Sequence, residues 1–461
     1  MEIMSGKISK EKRDTRVHSR ALLGALALSV ILIGCDDILS VRDREFLTPE
    51  GVSPDLLVAG AIRDFQTAYS GGGLTDRFLS TSALISDEVV SAGTFTTRTA
   101  TDQRAQFTIS QGNTSDVGYV ELHQARRAAI RAKRALTEAG VAGSLVSDMT
   151  VLEGFTWIAL GEGFCSGVPF SDVTEEGELI DGPALSTQQI FEGAIAIFDQ
   201  ASGDPAAVVG KGRALLNLGR FSEAAAAVAG VPTSFLRVIE HNANSGDQEN
   251  PIFNLQSNGR YSLSEGEGGN GLPFRSAGDP RIPWVEDPAG GFDPTVRLFL
   301  VQKYSESRSS PVVLADGLEA RLIEAEAALN AGDNATWLAT LNALRANVGD
   351  IMSARILNYS SLVPGPNNPT TTLDPLADPG TQDARVDLMF SERAFWMHFT
   401  GHRLGDLRRL VRSYGRSTNA VFPTGAYHKG GVYGDDVNLP LDFDETNNSN
   451  FSEESCVFTS A

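Results

Sequence analysis

Two stretches of this sequence share a spacing that fixes how their helices can pack. Gly212 stands seven residues before Gly219, and Ala325 stands seven before Gly332, each pair inside an Ala- and Leu-rich segment without proline. That composition favours helix, and a glycine just past the last turn supplies the left-handed residue that ends one. In the second stretch Leu318, Leu322, Ala325 and Leu329 form one apolar stripe, and Trp337, Leu341, Leu344 and Val348 form another facing it. Such hairpins cannot bury both faces alone, so they stack on neighbours. Similar helix-forming composition covers about 52–69, 119–140, 151–165, 186–201, 206–229, 316–347 and 383–413. Strand signals are confined to Phe107-Thr108-Ile109 and to residues 296–304, so the chain is expected to be mainly α with little β.

The matched spacing resembles the tetratricopeptide hairpin, in which a small residue lets two helices approach and the glycine turns the chain between them. The resemblance implies a tetratricopeptide-like helical hairpin scaffold with long loop insertions. The first copy reaches Val231-Pro232 sooner than a full repeat would. From there to Pro311 the chain is rich in Gly, Pro, Asn and Ser yet carries Phe235, Phe253, Tyr261, Phe274, Trp284, Phe292, Phe299 and Tyr304. A loop region this long is usually functional, and aromatics in it either stack on a ligand or plug the insertion onto the helices. A second, Pro-rich loop spans 359–380.

The first 35 residues read as an address. Lys7, Lys10, Lys12, Arg13, Arg16 and Arg20 precede thirteen uncharged residues, 21–33, too few to span a bilayer comfortably as a helix. They run into Leu32-Ile33-Gly34-Cys35, which resembles the bacterial lipobox, where the thiol of Cys35 carries diacylglycerol. Two or more acyl chains hold a protein stably on a bilayer. Removal of residues 1–34 leaves 32 basic and 55 acidic residues, a net of −23. No later run approaches 18 apolar residues, so the expected mature protein is anchored and not membrane-spanning. So acidic a body is a poor partner for nucleic acid.

Catalytic signatures fail one by one. Gly266, Gly268 and Gly271 fit the dinucleotide fingerprint, but no clear strand precedes them, Pro273 follows, and Glu267 faces where pyrophosphate would lie. His398 and His402 are four apart and fit one helical face, yet no glutamate follows His398 and no third ligand is evident. No metal site, catalytic residue or cofactor is assigned. Three cysteines make no disulfide framework; Cys165 and Cys456 are either bonded or free.

The decisive pattern lies near the end. Ser391-Glu392-Arg393, then Thr400-Gly401-His402-Arg403, then Asp406-Leu407-Arg408-Arg409 resemble the SusD/RagB family of nutrient-binding outer-membrane lipoproteins. Ser86-Asp87-Glu88, Phe164 to Pro169, Asp279-Pro280-Arg281, the 325–345 hairpin, Phe422-Pro423 and Leu439-Pro440 follow the family order. Trp396 and Thr400 stand where the family usually has acids, so the charges of Arg393 and Arg403 need other partners, Asp406 among them. Arg403 and Asp406 are a helical turn apart, and Arg393 is expected to tie its helix to a neighbouring loop. In that family acids after the lipid-bearing Cys resemble an export signal, and Asp36 and Asp37 stand there.

The resemblance implies a surface-exposed outer-membrane protein, facing the extracellular side, that binds oligosaccharide or other oligomeric nutrients and passes them to a SusC-like TonB-dependent β-barrel transporter. It implies a binder and not an enzyme. Trp284, Tyr261 and Phe274 are the expected ligand-contacting residues. An acidic body disfavours polyanionic glycans unless the cleft is locally basic, so neutral oligosaccharides or peptides are the expected ligands. The implied organisation is a signal peptide at 1–34, a lipidated tether at 35–50, a helical region at 51–240, a loop-rich ligand region at 241–315 and a C-terminal region at 316–461. Two rivals remain: a tetratricopeptide-like scaffold organising an envelope complex, and a surface hydrolase whose carboxylate pair only a distance in space reveals.

Overall fold

Small residues set the spacing between the helices. In the computed structural model Gly212 packs so tightly that a Cβ there would lie 2.4 Å from Val228 Cγ1 on the next helix. The structure describes residues 52–105, 117–174, 178–304, 307–452 and 454–461; the leader, Cys35, Asp36, Asp37 and Phe107-Thr108-Ile109 lie outside these. The helices of the repeat are α1 (Pro54–Tyr69), α4 (Tyr119–Glu138), α5 (Ser144–Gly163), α6 (Thr187–Phe198), α7 (Pro205–Asn217), α8 (Phe221–Val228), α9 (Gly317–Asn330) and α10 (Asn334–Ala346). Each packs chiefly on the next in this order, the stacking that a solenoid of hairpins requires. Between α1 and α4 the chain forms α2 (Phe78–Ile85), strand β1 (Val89–Ser91) and α3 (Thr96–Asp102).

Local chemistry starts and stops these helices. Ser186 and Gln189 form a capping box on α6, Asp204 caps α7 ahead of Pro205, and Asp316 and Asp333 accept backbone N–H groups at the starts of α9 and α10. Gly219 and Gly332 turn the two matched hairpins with φ of +71° and +78°. The stretches 206–229 and 316–347 are therefore each two helices, broken where the glycines stand. Helix α5 is the central one: nearly every residue from Met149 to Gly163 is buried, and Gly154 and Gly161 admit the rings of Phe198 and Phe191.

The insertion between α8 and α9 is closed at its base. Strand β2 (Leu236–Ile239) pairs antiparallel with β6 (Val312–Asp316), with Leu236 opposite Asp316 and Ile239 opposite Val312. Inside it, β3 (Tyr261–Leu263) pairs with β1, and β4 (Trp284–Asp287) forms a hairpin with β5 (Leu298–Val301), within the 296–304 segment. Every sheet among the described residues has two strands. Residues 54–461 pack as one unit, so the 51–240, 241–315 and 316–461 regions share a core.

The 383–413 stretch is also two helices, α11 (Gln382–Trp396) and α12 (Arg403–Tyr414). His398 lies in the turn between them and His402 at the foot of α12, so the two do not share a helical face. Arg393 reaches the next helix instead of a loop: Nε and Nη2 donate to both Asp406 oxygens at 2.9 Å. Arg409 donates to Glu326 and to Asp406, and all four side chains are buried. Asp406 thus supplies the missing negative charge. Arg403 pairs with Asp87, 3.8 Å away in the turn after α2, and not with Asp406.

Candidate functional site

Among the described residues the exposed phenylalanines are Phe95, Phe292 and Phe443, and the first two converge. Phe95 and Phe292 are each 55 % exposed, and the Arg260 guanidinium lies between them, 5.4 Å from the Phe95 ring centre and 3.5 Å from that of Phe292. Phe95 precedes α3, Arg260 precedes β3, and Phe292 sits at the tip of the β4–β5 hairpin. The backbone laces these segments together. Ala92 N–H donates to Arg260 O, Phe292 N–H to Gly259 O and Asp293 N–H to Ala92 O, each at 2.8 Å. Gly259 must be glycine: its φ is +67° and a Cβ would meet Phe292 N at 2.7 Å.

A cavity of about 470 Å³ opens beside the aromatic pair, lined by Thr94, Thr96, Thr99, Gln103, Asp293 and Lys429 among others. Lys429 arrives on a C-terminal loop; its Nζ donates to Gly93 O and to Ser91 Oγ and lies 3.6 Å from Asp293. Gln103 Nε2 donates to Val432 O at 2.7 Å, tying α3 to the same loop. Beneath them Asp102 accepts from Ser91 N–H at 2.8 Å and from the Tyr427 hydroxyl at 2.7 Å. Burial lifts the Asp102 carboxyl to about 8. Apolar ring faces with convergent hydroxyls, amides and a cation make a surface that stacks on and hydrogen-bonds to a polar oligomer.

No family model matches the sequence, and no curated protein does. Solved structures do match. A SusD superfamily protein from Bacteroides fragilis superposes with a TM-score of 0.61 at 15 % identity, covering 87 % of this chain and 99 % of its own. One from Parabacteroides distasonis gives 0.60 at 10 % identity over 87 % and 99 %. A laminarin-binding SusD-like protein gives 0.57 at 15 % identity over 87 % and 98 %. This chain has the fold of the SusD superfamily.

On this SusD-like frame the three aromatics expected from sequence occupy different depths. Tyr261 and Phe274 are fully buried. The Tyr261 hydroxyl donates to Asp76, and Arg98 Nε donates to the same carboxylate at 3.0 Å while its guanidinium lies 5.2 Å from both the Tyr261 and Phe95 rings. Tyr261 therefore props the cation on which Phe95 rests. Phe274 packs against Phe395 and His398 at ring distances of 5.3 and 4.8 Å, within the core. Trp284 is half-buried at the base of the hairpin that carries Phe292; its Nε1 donates to Arg275 O at 3.2 Å and its ring meets Phe299 edge-on. Phe292 was among the insertion's aromatics in the sequence. Phe95, Arg260 and Lys429 carried no sequence signal, since each gains its setting from a distant segment.

Proposed function

We propose that this chain is a SusD/RagB family lipoprotein of the outer membrane, attached through Cys35 and facing outward, that captures oligosaccharide and passes it to a SusC-like TonB-dependent barrel. The observation that carries this reading is the pair of exposed rings, Phe95 and Phe292, beside a polar cavity and built from loops on a rigid helical frame. The C–H face of a pyranose stacks on such rings while Thr94, Thr96, Thr99 and Gln103 hydrogen-bond to its hydroxyls. The SusD superfamily fold and the lipobox-like leader support the location, as does the Cys165–Cys456 disulfide, which forms outside a reducing cytoplasm. No helix among the described residues is long and apolar enough to cross a membrane. Trp284 supports the site from behind as a hairpin anchor.

Two measurements test this. Affinity electrophoresis against a panel of soluble glycans should find a ligand that the Phe95→Ala/Phe292→Ala variant binds at least about tenfold more weakly. Unchanged binding by a folded double variant removes this surface from the reading. A mild-detergent pull-down of the full-length lipoprotein from native outer membranes should recover a TonB-dependent barrel in stoichiometric amount. Recovery of soluble proteins without a barrel replaces the transport reading with the scaffold one.

A further inference from the structure

In an acidic protein most cations around the exposed aromatic pair have their own carboxylate, and Arg260 does not. Arg98 is held by Asp76, Lys429 faces Asp293, and Arg297 on the β4–β5 hairpin is held by both oxygens of Glu286. No carboxylate among the described residues pairs with Arg260. Its Nη1 is packed near Gly93 without a hydrogen-bond partner, its guanidinium lies over the faces of Phe95 and Phe292, and the charge acting on it is the Arg98 cation. Gly93 makes the room: a Cβ there would sit 3.3 Å from Arg260 Cδ and 3.4 Å from Arg98 Nη1. With 58 acids available against 38 bases, this arginine stands unneutralised in the middle of an exposed aromatic pair.

We propose, resting on the glycan-binding reading above, that Arg260 recognises a carboxylate carried by the ligand, so that the preferred nutrient is an acidic, uronate-containing oligosaccharide and not a neutral one. With Nη1 buried against Gly93, the guanidinium presents its Nε and Nη2 donors, a side-on pair that matches the two oxygens of a carboxylate. The stack also fixes the side chain's rotamers before binding, so less ordering is left to do when the ligand arrives. The flanking rings take the sugar faces on either side of the charged unit. An unneutralised cation thus stands beside the cleft of an otherwise acidic protein. The aromatic faces favour a uronate over an acidic peptide, which has no pyranose ring to stack.

The test uses the full-length protein in mild detergent and calorimetric titration with two probes: a galacturonic acid oligomer, and the same oligomer with its carboxyls reduced to alcohols. The acidic oligomer should bind about tenfold or more tightly than the reduced one, with the gap narrowing as salt is raised. Arg260→Gln should erase the gap and leave weak binding of both probes that Phe95→Ala/Phe292→Ala then abolishes. Arg260→Lys should retain part of it. If both probes bind equally through the phenylalanines, or if Arg260→Gln leaves the gap intact, the carboxylate inference is overturned while the glycan reading stands. If no glycan in the panel binds, both fall. Arg260-dependent binding of a polyglutamate peptide, with no glycan bound, overturns the uronate and puts an acidic peptide in its place.

Discussion

Buried charges at single positions pull this protein's stability in opposite directions as pH changes. Arg393 and Arg409 hold the Asp406 carboxyl well below its ordinary value of 3.8 despite complete burial. A depressed carboxyl stabilises the fold above its unfolded pKa, and that contribution is lost as pH falls. Glu88 is the reverse: burial lifts it from 4.5 to about 8, although Phe399 N–H donates to its Oε1 at 2.7 Å. A raised carboxyl contributes most below its unfolded pKa and loses that contribution as pH climbs toward 8. Asp406→Asn should therefore cost about 3–5 kcal/mol in urea unfolding at pH 7, leaving two arginines to share Glu326, with the deficit shrinking under acid. Glu88→Gln should gain on the parent chain between about pH 5 and pH 8. Parallel stability profiles for parent and variants would refute both assignments. The same residue scale explains what sequence reading missed at the site. Tyr261 and Phe292 look equally available in a Gly-rich loop, but one pairs in a strand with residues 170 positions earlier and the other tops a hairpin. Depth is set by partners far along the chain, which no local pattern reports.

At the scale of elements, what could be read locally was read well. The Gly219 and Gly332 spacing, the alanine-rich stripes and the helix composition each depend on residues within two turns of one another, and the hairpins α7–α8 and α9–α10 stand where they point. Composition did not show the break at 397–402, where no spaced glycine signal marks it and one favourable stretch holds two helices. Two- to five-residue strands were mostly invisible because their pairings, such as β1 with β3 and β2 with β6, join distant segments. The close approach at Gly212 gives this scale its test. Gly212→Val pushes two methyl groups into space already held by Val228 and Ile323, both stiff β-branched side chains. Overpacking of this kind should cost about 1–3 kcal/mol, read as a lower urea midpoint with an unchanged slope. Gly230→Val, with nothing within 4 Å of its added Cβ, is the control and should cost less. Equal losses at the two positions would mean that helix approach in the repeat does not depend on the small residue.

The whole molecule is held at one further place that neither composition nor repeats reveal. Cys165 follows α5, buried along nearly all of its length from Met149, and Cys456 lies five residues before Ala461, so their bond closes a loop across 291 positions of sequence. The sequence left the pair open, because proximity in space is the only thing that decides it. Beside the bond, Asn438 Nδ2 donates to the carbonyls of Val457, Phe458 and Ser460 at 3.2, 3.0 and 2.7 Å, and Val437 N–H donates to Phe458 O at 2.9 Å. The tail therefore has two clamps, one covalent and one hydrogen-bonded. Cys456→Ala removes the first and should lower stability by about 2–5 kcal/mol, since a cross-link over so long a loop chiefly restricts the unfolded chain. Reductant should lower the parent to the same level and leave the variant unmoved. Because Asn438 still grips the tail, protease should cut after residue 456 slowly in Cys456→Ala and quickly only in Cys456→Ala/Asn438→Ala. If reductant leaves the parent's unfolding midpoint where it was, the bond contributes nothing to the fold. If the single variant is cut as fast as the double one, the disulfide alone holds the terminus against α5.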